Sequence, residues 1–90
     1  MDPSPPGADA AGVGSKDQWD ATCAAFGTAV RERREQIDIS QEELADRAAM
    51  DRTYVSGIER GVRNPTLKIV ARLAKALKTR PSKLLAAMEQ

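Results

Sequence analysis

The sequence predicts an all-α protein: a compact five-helix domain behind a disordered N-terminal tail. Three observations lead there. Ala, Leu, Glu, Arg and Lys dominate the 90 residues, while Trp19, Phe26 and Tyr54 are the only aromatics. Too few β-branched and aromatic side chains remain for several strands. Apolar residues recur at helical spacing from Trp19 onward, and several of these segments open on a residue suited to capping a helix. A chain of this length makes one domain at most.

Residues 1–14, MDPSPPGADAAGVG, are rich in Pro, Gly and Ala, and past Met1 only Val13 is a sizeable apolar side chain. Such a segment buries too little surface to offset its ordering entropy. Disorder is therefore expected over residues 1–15 and a folded domain over 16–90. Trp19, Cys23, Phe26, Val30 and Ile37 then follow a helical period, and residues 15–18, Ser-Lys-Asp-Gln, have the form of a capping box. The first helix is expected to start between Lys16 and Ala21 and to end near Gln36. Asp38 supplies the left-handed residue that stops it.

The second helix has a stronger start in Ile39-Ser40-Gln41-Glu42-Glu43. Ser40 can cap the amide of Glu43 while Glu43 reaches back, and Ile39 can staple onto Leu44. It runs to about Ala48, with Leu44, Ala45 and Ala48 on one face. Asp51 caps a third helix over residues 52–60, whose inner face is Val55 and Ile58, and Gly61 makes the exit turn. Asn64-Pro65 forces extended backbone. Thr66 caps the fourth helix, with Leu67, Val70, Leu73, Ala74 and Leu77 as its stripe. The fifth, about 81–88, starts at Pro81 and buries Leu84 and Leu85. Ile69 and Met88 fall outside these stripes, and together they suggest a self-complementary patch through which two copies pair.

Several function classes drop out. There is no His, which removes the commonest general base and metal ligand. Cys23 is alone, which leaves no internal disulfide and fits a reducing cytosol. No apolar run reaches the roughly 18 residues of a membrane span, no secretory signal opens the chain, and no Gly-rich phosphate loop is present. Glu42, Glu43 and Asp46 read as capping and a solvated face, since carboxylates without a metal, a nucleophile or a cleft make no acid–base site. A non-enzyme with no cofactor and no metal is expected.

The near-neutral total hides a division. Residues 1–50 carry five Lys/Arg against ten Asp/Glu, a balance of −5, whereas residues 51–83 carry nine against two, a balance of +7. A local excess of that size accompanies phosphate binding, although a solvated basic face has the same composition. The second and third helices are separated by only residues 49–51, which forces the sharp crossing of a helix-turn-helix over residues 41–60. In that arrangement one helix braces on the DNA backbone while the amino end of the next enters the major groove.

The stretch SQEELADRAAMDRTYVSGIERGVRNPTLKIVARLAKAL, residues 40–77, resembles the lambda-repressor/Cro-like helix-turn-helix regulators of the xenobiotic response element type. The likeness extends from about Phe26 to Leu85. It rests on Ser-Gln-Glu-Glu-Leu-Ala opening the second helix, Ile-Glu-Arg-Gly closing the third and Asn-Pro-Thr-Leu opening the fourth. Within the family it is most similar to short stand-alone members, including controller proteins of restriction–modification systems. The resemblance implies that Gln41 touches a phosphate and braces the recognition helix. It places Arg52, Thr53, Ser56 and Gly57 on the groove-facing side, with Arg52 suited to guanine and Thr53 to a thymine methyl or polar base edge. At Gly57 either the backbone approaches DNA closely or Ser56 takes over the reading. Tyr54 and Arg63 become phosphate contacts, and Arg34 pairs with Glu59 near the surface. Asp38, Ala49 and Lys78 stand where the family usually has Gly, and Arg33 where a Leu is common. The function implied is a cytoplasmic transcriptional regulator that binds double-stranded DNA as a homodimer on an inverted-repeat operator. The alternative is a protein-interaction adaptor or antitoxin-like partner-binding protein using the same helices; an adaptor has no need of the basic segment.

Overall fold

The computed structural model describes the backbone of residues 16–89 and the side chains of residues 20–89. The tail expected over residues 1–15, the capping box over 15–18 and the packing of Trp19 lie outside the described residues. The elements are α1 (Lys16–Gln36), α2 (Gln41–Ala48), α3 (Arg52–Glu59), α4 (Leu67–Ala76) and α5 (Pro81–Leu85), followed by a 3-10 turn, Ala86–Met88. No strand occurs among the described residues. The fold is all-α with five helices, as the composition and periodicity predict.

Side chains start three of the helices. Ser40 Oγ accepts from the Glu43 amide at 3.0 Å, an Asp51 carboxylate oxygen from Thr53 at 2.7 Å and Thr66 Oγ1 from Ile69 at 3.2 Å. Each satisfies an amide that a helix start leaves without a partner. The capping box of α2 forms only by half. Arg47 Nε donates to the Glu43 carboxylate at 3.0 Å, one turn along, so the cation takes the group expected to return to Ser40.

One exit ends four helices. Asp38, Ala49, Gly61 and Lys78 have φ of 60°, 57°, 77° and 55°. In each case the next amide bonds back five residues: Ile39 to the Arg34 carbonyl, Met50 to Ala45, Val62 to Gly57 and Thr79 to Ala74, at 2.9–3.2 Å. This is the Schellman closure, which favours glycine because its middle residue is left-handed. Gly61 alone among the four is glycine. At Lys78 the exit is reinforced by Arg33, whose Nε donates to the Leu77 carbonyl at 2.9 Å and Nη2 to the Lys78 carbonyl at 3.1 Å. A cation at the carboxyl end of a helix also meets the negative end of its dipole.

The core is formed by Phe26 and Val30 of α1, Leu44 and Ala48 of α2, Val55 and Ile58 of α3, Val70, Leu73 and Ala74 of α4, with Leu77 and Leu84. Burying each larger side chain contributes about 1.5–3 kcal/mol. α1 crosses α3 at Gly27, where a Cβ would stand 2.8 Å from the Glu59 carbonyl oxygen and closer still to that of Ile58. Glycine there lets two helix backbones touch. Three expectations need correction. Leu67 does not join the core stripe of α4; it is 82% exposed, because it heads the helix beside an open groove rather than under a neighbour. Ile69 is half-buried and packs on the core, so it is not left over for pairing. The last helix is α-helical only to Leu85 before tightening into the 3-10 turn.

Candidate nucleic-acid interface

α3 is amphipathic along its short length. Val55 and Ile58 are buried inward, whereas Arg52 and Thr53, at its amino end, are exposed and Ser56 is half-buried. Asp51 accepts from one amide at the start of α3, and the positive amino end of the helix dipole lies on the same side as Arg52. Arg52 borders a shallow depression with Glu42, Asp46 and Met50, yet among the described residues no carboxylate forms an ion pair with it. Its guanidinium keeps its donors free, and the fork geometry suits the O6/N7 edge of a guanine.

The other end of α3 is locked. Glu59 is buried and accepts from Arg34 Nε at 2.6 Å and Nη2 at 3.1 Å, and from the Gln41 amide at 3.0 Å. Arg34 Nη1 donates to the Ile39 carbonyl at 2.9 Å. One guanidinium therefore joins α1, the connection before α2 and α3. The hydrogen bond to Glu59 outweighs burial and raises the Arg34 pKa, so its charge is fixed. The side chains of Arg34 and Glu59 are 13% and 3% exposed, which makes this an interior pair rather than one near the surface. Gln41 sits at the start of α2 with one amide hydrogen committed to Glu59. This hydrogen bond ties α2 to α3.

Tyr54, Gly57 and Arg63 form a second constellation. Arg63 is exposed and its Cζ lies 5.6 Å from the centre of the Tyr54 ring, within cation–π range. Gly57 is buried, and the position its missing Cβ would take is 2.6 Å from Arg63 Cγ. Gly57, expected on the groove-facing side, has the arginine stem lying over it. No local pattern signals this, because the two residues belong to different elements and meet only through the turn at Gly61.

The segment that follows α3 is basic. Arg60, Arg63, Lys68, Arg72, Lys75, Lys78, Arg80 and Lys83 are exposed, and among the described residues none forms an ion pair. Among the described residues there is no group of His, Cys, Asp and Glu arranged to hold a metal, and no helix is long and apolar enough to cross a membrane.

Comparison with known proteins agrees with the geometry. Residues 30–84 match the helix-turn-helix family HTH_3. The chain is 44% identical over 61 residues to the control protein C.BamHI of Bacillus amyloliquefaciens, covering 67% of this chain and 75% of that one. It is 46% identical over 56 residues to the control protein C.SmaI of Serratia marcescens, covering 62% and 67%. The crystal structure of the restriction-modification controller protein C.AhdI from Aeromonas hydrophila is similar with a TM-score of 0.70 and 44% identity, over 71% of this chain and 97% of that one. A short cap-to-cap turn between α2 and α3, an exposed amino end of α3 and these likenesses lead to one conclusion: the chain belongs to the lambda-repressor/Cro-like helix-turn-helix family of DNA-binding transcriptional regulators.

Proposed function

We propose that this chain is a homodimer that reads an inverted-repeat operator in double-stranded DNA and performs no catalysis of its own. The observation that carries the reading is the amino end of α3, where Arg52 and Thr53 project from a helix braced at its far end by Glu59. A braced helix with free donors at its tip can hold a base edge in register. Arg52 takes the role of guanine reader, and Thr53 and Ser56 contact neighbouring base edges. Tyr54, Arg63 and the free valences of the Gln41 amide hold phosphates. Two copies are needed because one such helix offers too few base contacts for tight specific binding. The likeness to restriction-modification controller proteins supports regulation of that kind.

The test compares two arginines on operator and random DNA. Arg52→Ala should weaken operator binding by about 1–3 kcal/mol and relax preference at one base pair per half-site. Arg63→Ala should weaken both DNAs alike and flatten the salt dependence. Equal losses on both DNAs for Arg52→Ala would remove it as a reader.

A further inference from the structure

We infer that Gly57 is a positioning residue: its bare backbone is the seat on which Arg63 lies to present its guanidinium to DNA. This rests on the DNA-binding reading of Arg63 above. A Cβ at Gly57 would stand 2.6 Å from Arg63 Cγ, 3.3 Å from Nε and 3.5 Å from Cδ. The arginine stem therefore runs along the space a side chain would fill. Tyr54 stands one turn earlier on the same face of α3, and its ring receives the guanidinium at 5.6 Å. Ring and glycine together make a shelf. The loop that delivers Arg63 is pinned to the same residue, since the Val62 amide donates to the Gly57 carbonyl at 3.0 Å behind the left-handed Gly61.

The arrangement has a physical use. A loop arginine reaching for DNA would otherwise lose rotamer freedom on contact, and holding it beforehand removes part of that loss. It also gives a reason for glycine inside a helix, where it is intrinsically disfavoured. The atoms that a Cβ would strike belong to a flexible side chain, not to backbone. Alanine at position 57 therefore leaves the fold intact and moves Arg63.

The seat is tested first without DNA. In the proton NMR spectrum of the full chain, the Arg63 side-chain methylenes should be shifted upfield by the Tyr54 ring, and Gly57→Ala should abolish that shift with an unchanged or higher melting temperature. On DNA, Gly57→Ala should lose about tenfold in affinity, as Arg63→Ala does, the scale of one charged contact. The double variant Gly57→Ala/Arg63→Ala should bind no more weakly than Arg63→Ala. An absent shift in the unmodified chain, or one that survives in Gly57→Ala, overturns the seat. An equal loss from Gly57→Ala in the Arg63→Ala background also overturns it, since the glycine would then act on DNA directly. Undiminished binding by Arg63→Ala, with the ring shift present, would instead refute the DNA role of Arg63 and the purpose assigned to the seat.

Discussion

Glu59 accepts three hydrogen bonds in the interior, from Arg34 twice and from Gln41, and so fixes how the recognition helix sits on the rest of the domain. Glu59→Ala would leave the Arg34 guanidinium largely buried without its counter-charge. Removing one member of such a pair costs about 3–5 kcal/mol, against about 0–1 for an exposed pair. Urea unfolding of Arg34→Ala, Glu59→Ala and the double variant measures this; a coupling energy near zero would refute the structural role. The pairing itself was legible through the family resemblance. Its burial was not, because burial depends on how closely α1 approaches α3, and Gly27 sets that approach. A glycine inside a helical pattern reads as a weak spot until the opposing backbone is known. The same holds for Gly57, whose neighbour Arg63 comes from another element. Arg52 and Thr53 were easier: their exposure follows from helical period once Val55 and Ile58 point inward.

Helix starts could be read from side-chain chemistry, and Ser40, Asp51 and Thr66 each cap the amide that their position dictates or one beside it. Helix ends were legible where glycine or its usual place marked them. Three Schellman exits use Asp38, Ala49 and Lys78 in a left-handed conformation, which disfavours a residue bearing Cβ by roughly 1–2 kcal/mol. Ala49→Gly and Lys78→Gly should each stabilise the protein by about 0.5–1 kcal/mol, after allowance for the greater backbone entropy of glycine. Asp38→Gly should gain least, since Asp tolerates this region better. Thermal unfolding checks this, and a lowered melting temperature for Ala49→Gly would contradict the role of these exits. Other end features stayed hidden. Arg33 caps α4 from a distance of 44 residues, and no local pattern predicts it. Leu67 looks like a core residue by period but overhangs the end of its helix, where period carries no information about what lies opposite.

Across the whole molecule the two halves of the charge distribution have different work. The basic segment includes Arg52, Arg60 and Arg63 on and just after α3, while the acidic first half holds the Ser40 cap and Glu43, paired to Arg47. A groove of about 220 Å³ lies between α1, α4 and α5, lined by Phe26, Leu67, Val70, Leu85 and Met88 among others. Leu67 and Met88 are exposed there, so the proposed homodimer would be expected to pair through these residues rather than through Ile69. Two copies joined through this patch would set their recognition helices about one DNA turn apart, roughly 34–36 Å. Leu67→Lys with Met88→Lys should give a folded monomer by analytical ultracentrifugation, with unchanged helicity and binding confined to half-sites; a variant that stays dimeric would move the interface elsewhere. The measurement closest to the proposed function is selection of bound sequences from a random DNA pool by the full chain. The expected result is an inverted repeat whose half-sites lie one helical turn apart, with one position per half-site losing its preference in Arg52→Ala. A folded protein that enriches no motif would contradict DNA reading by α3 and favour an adaptor of protein partners.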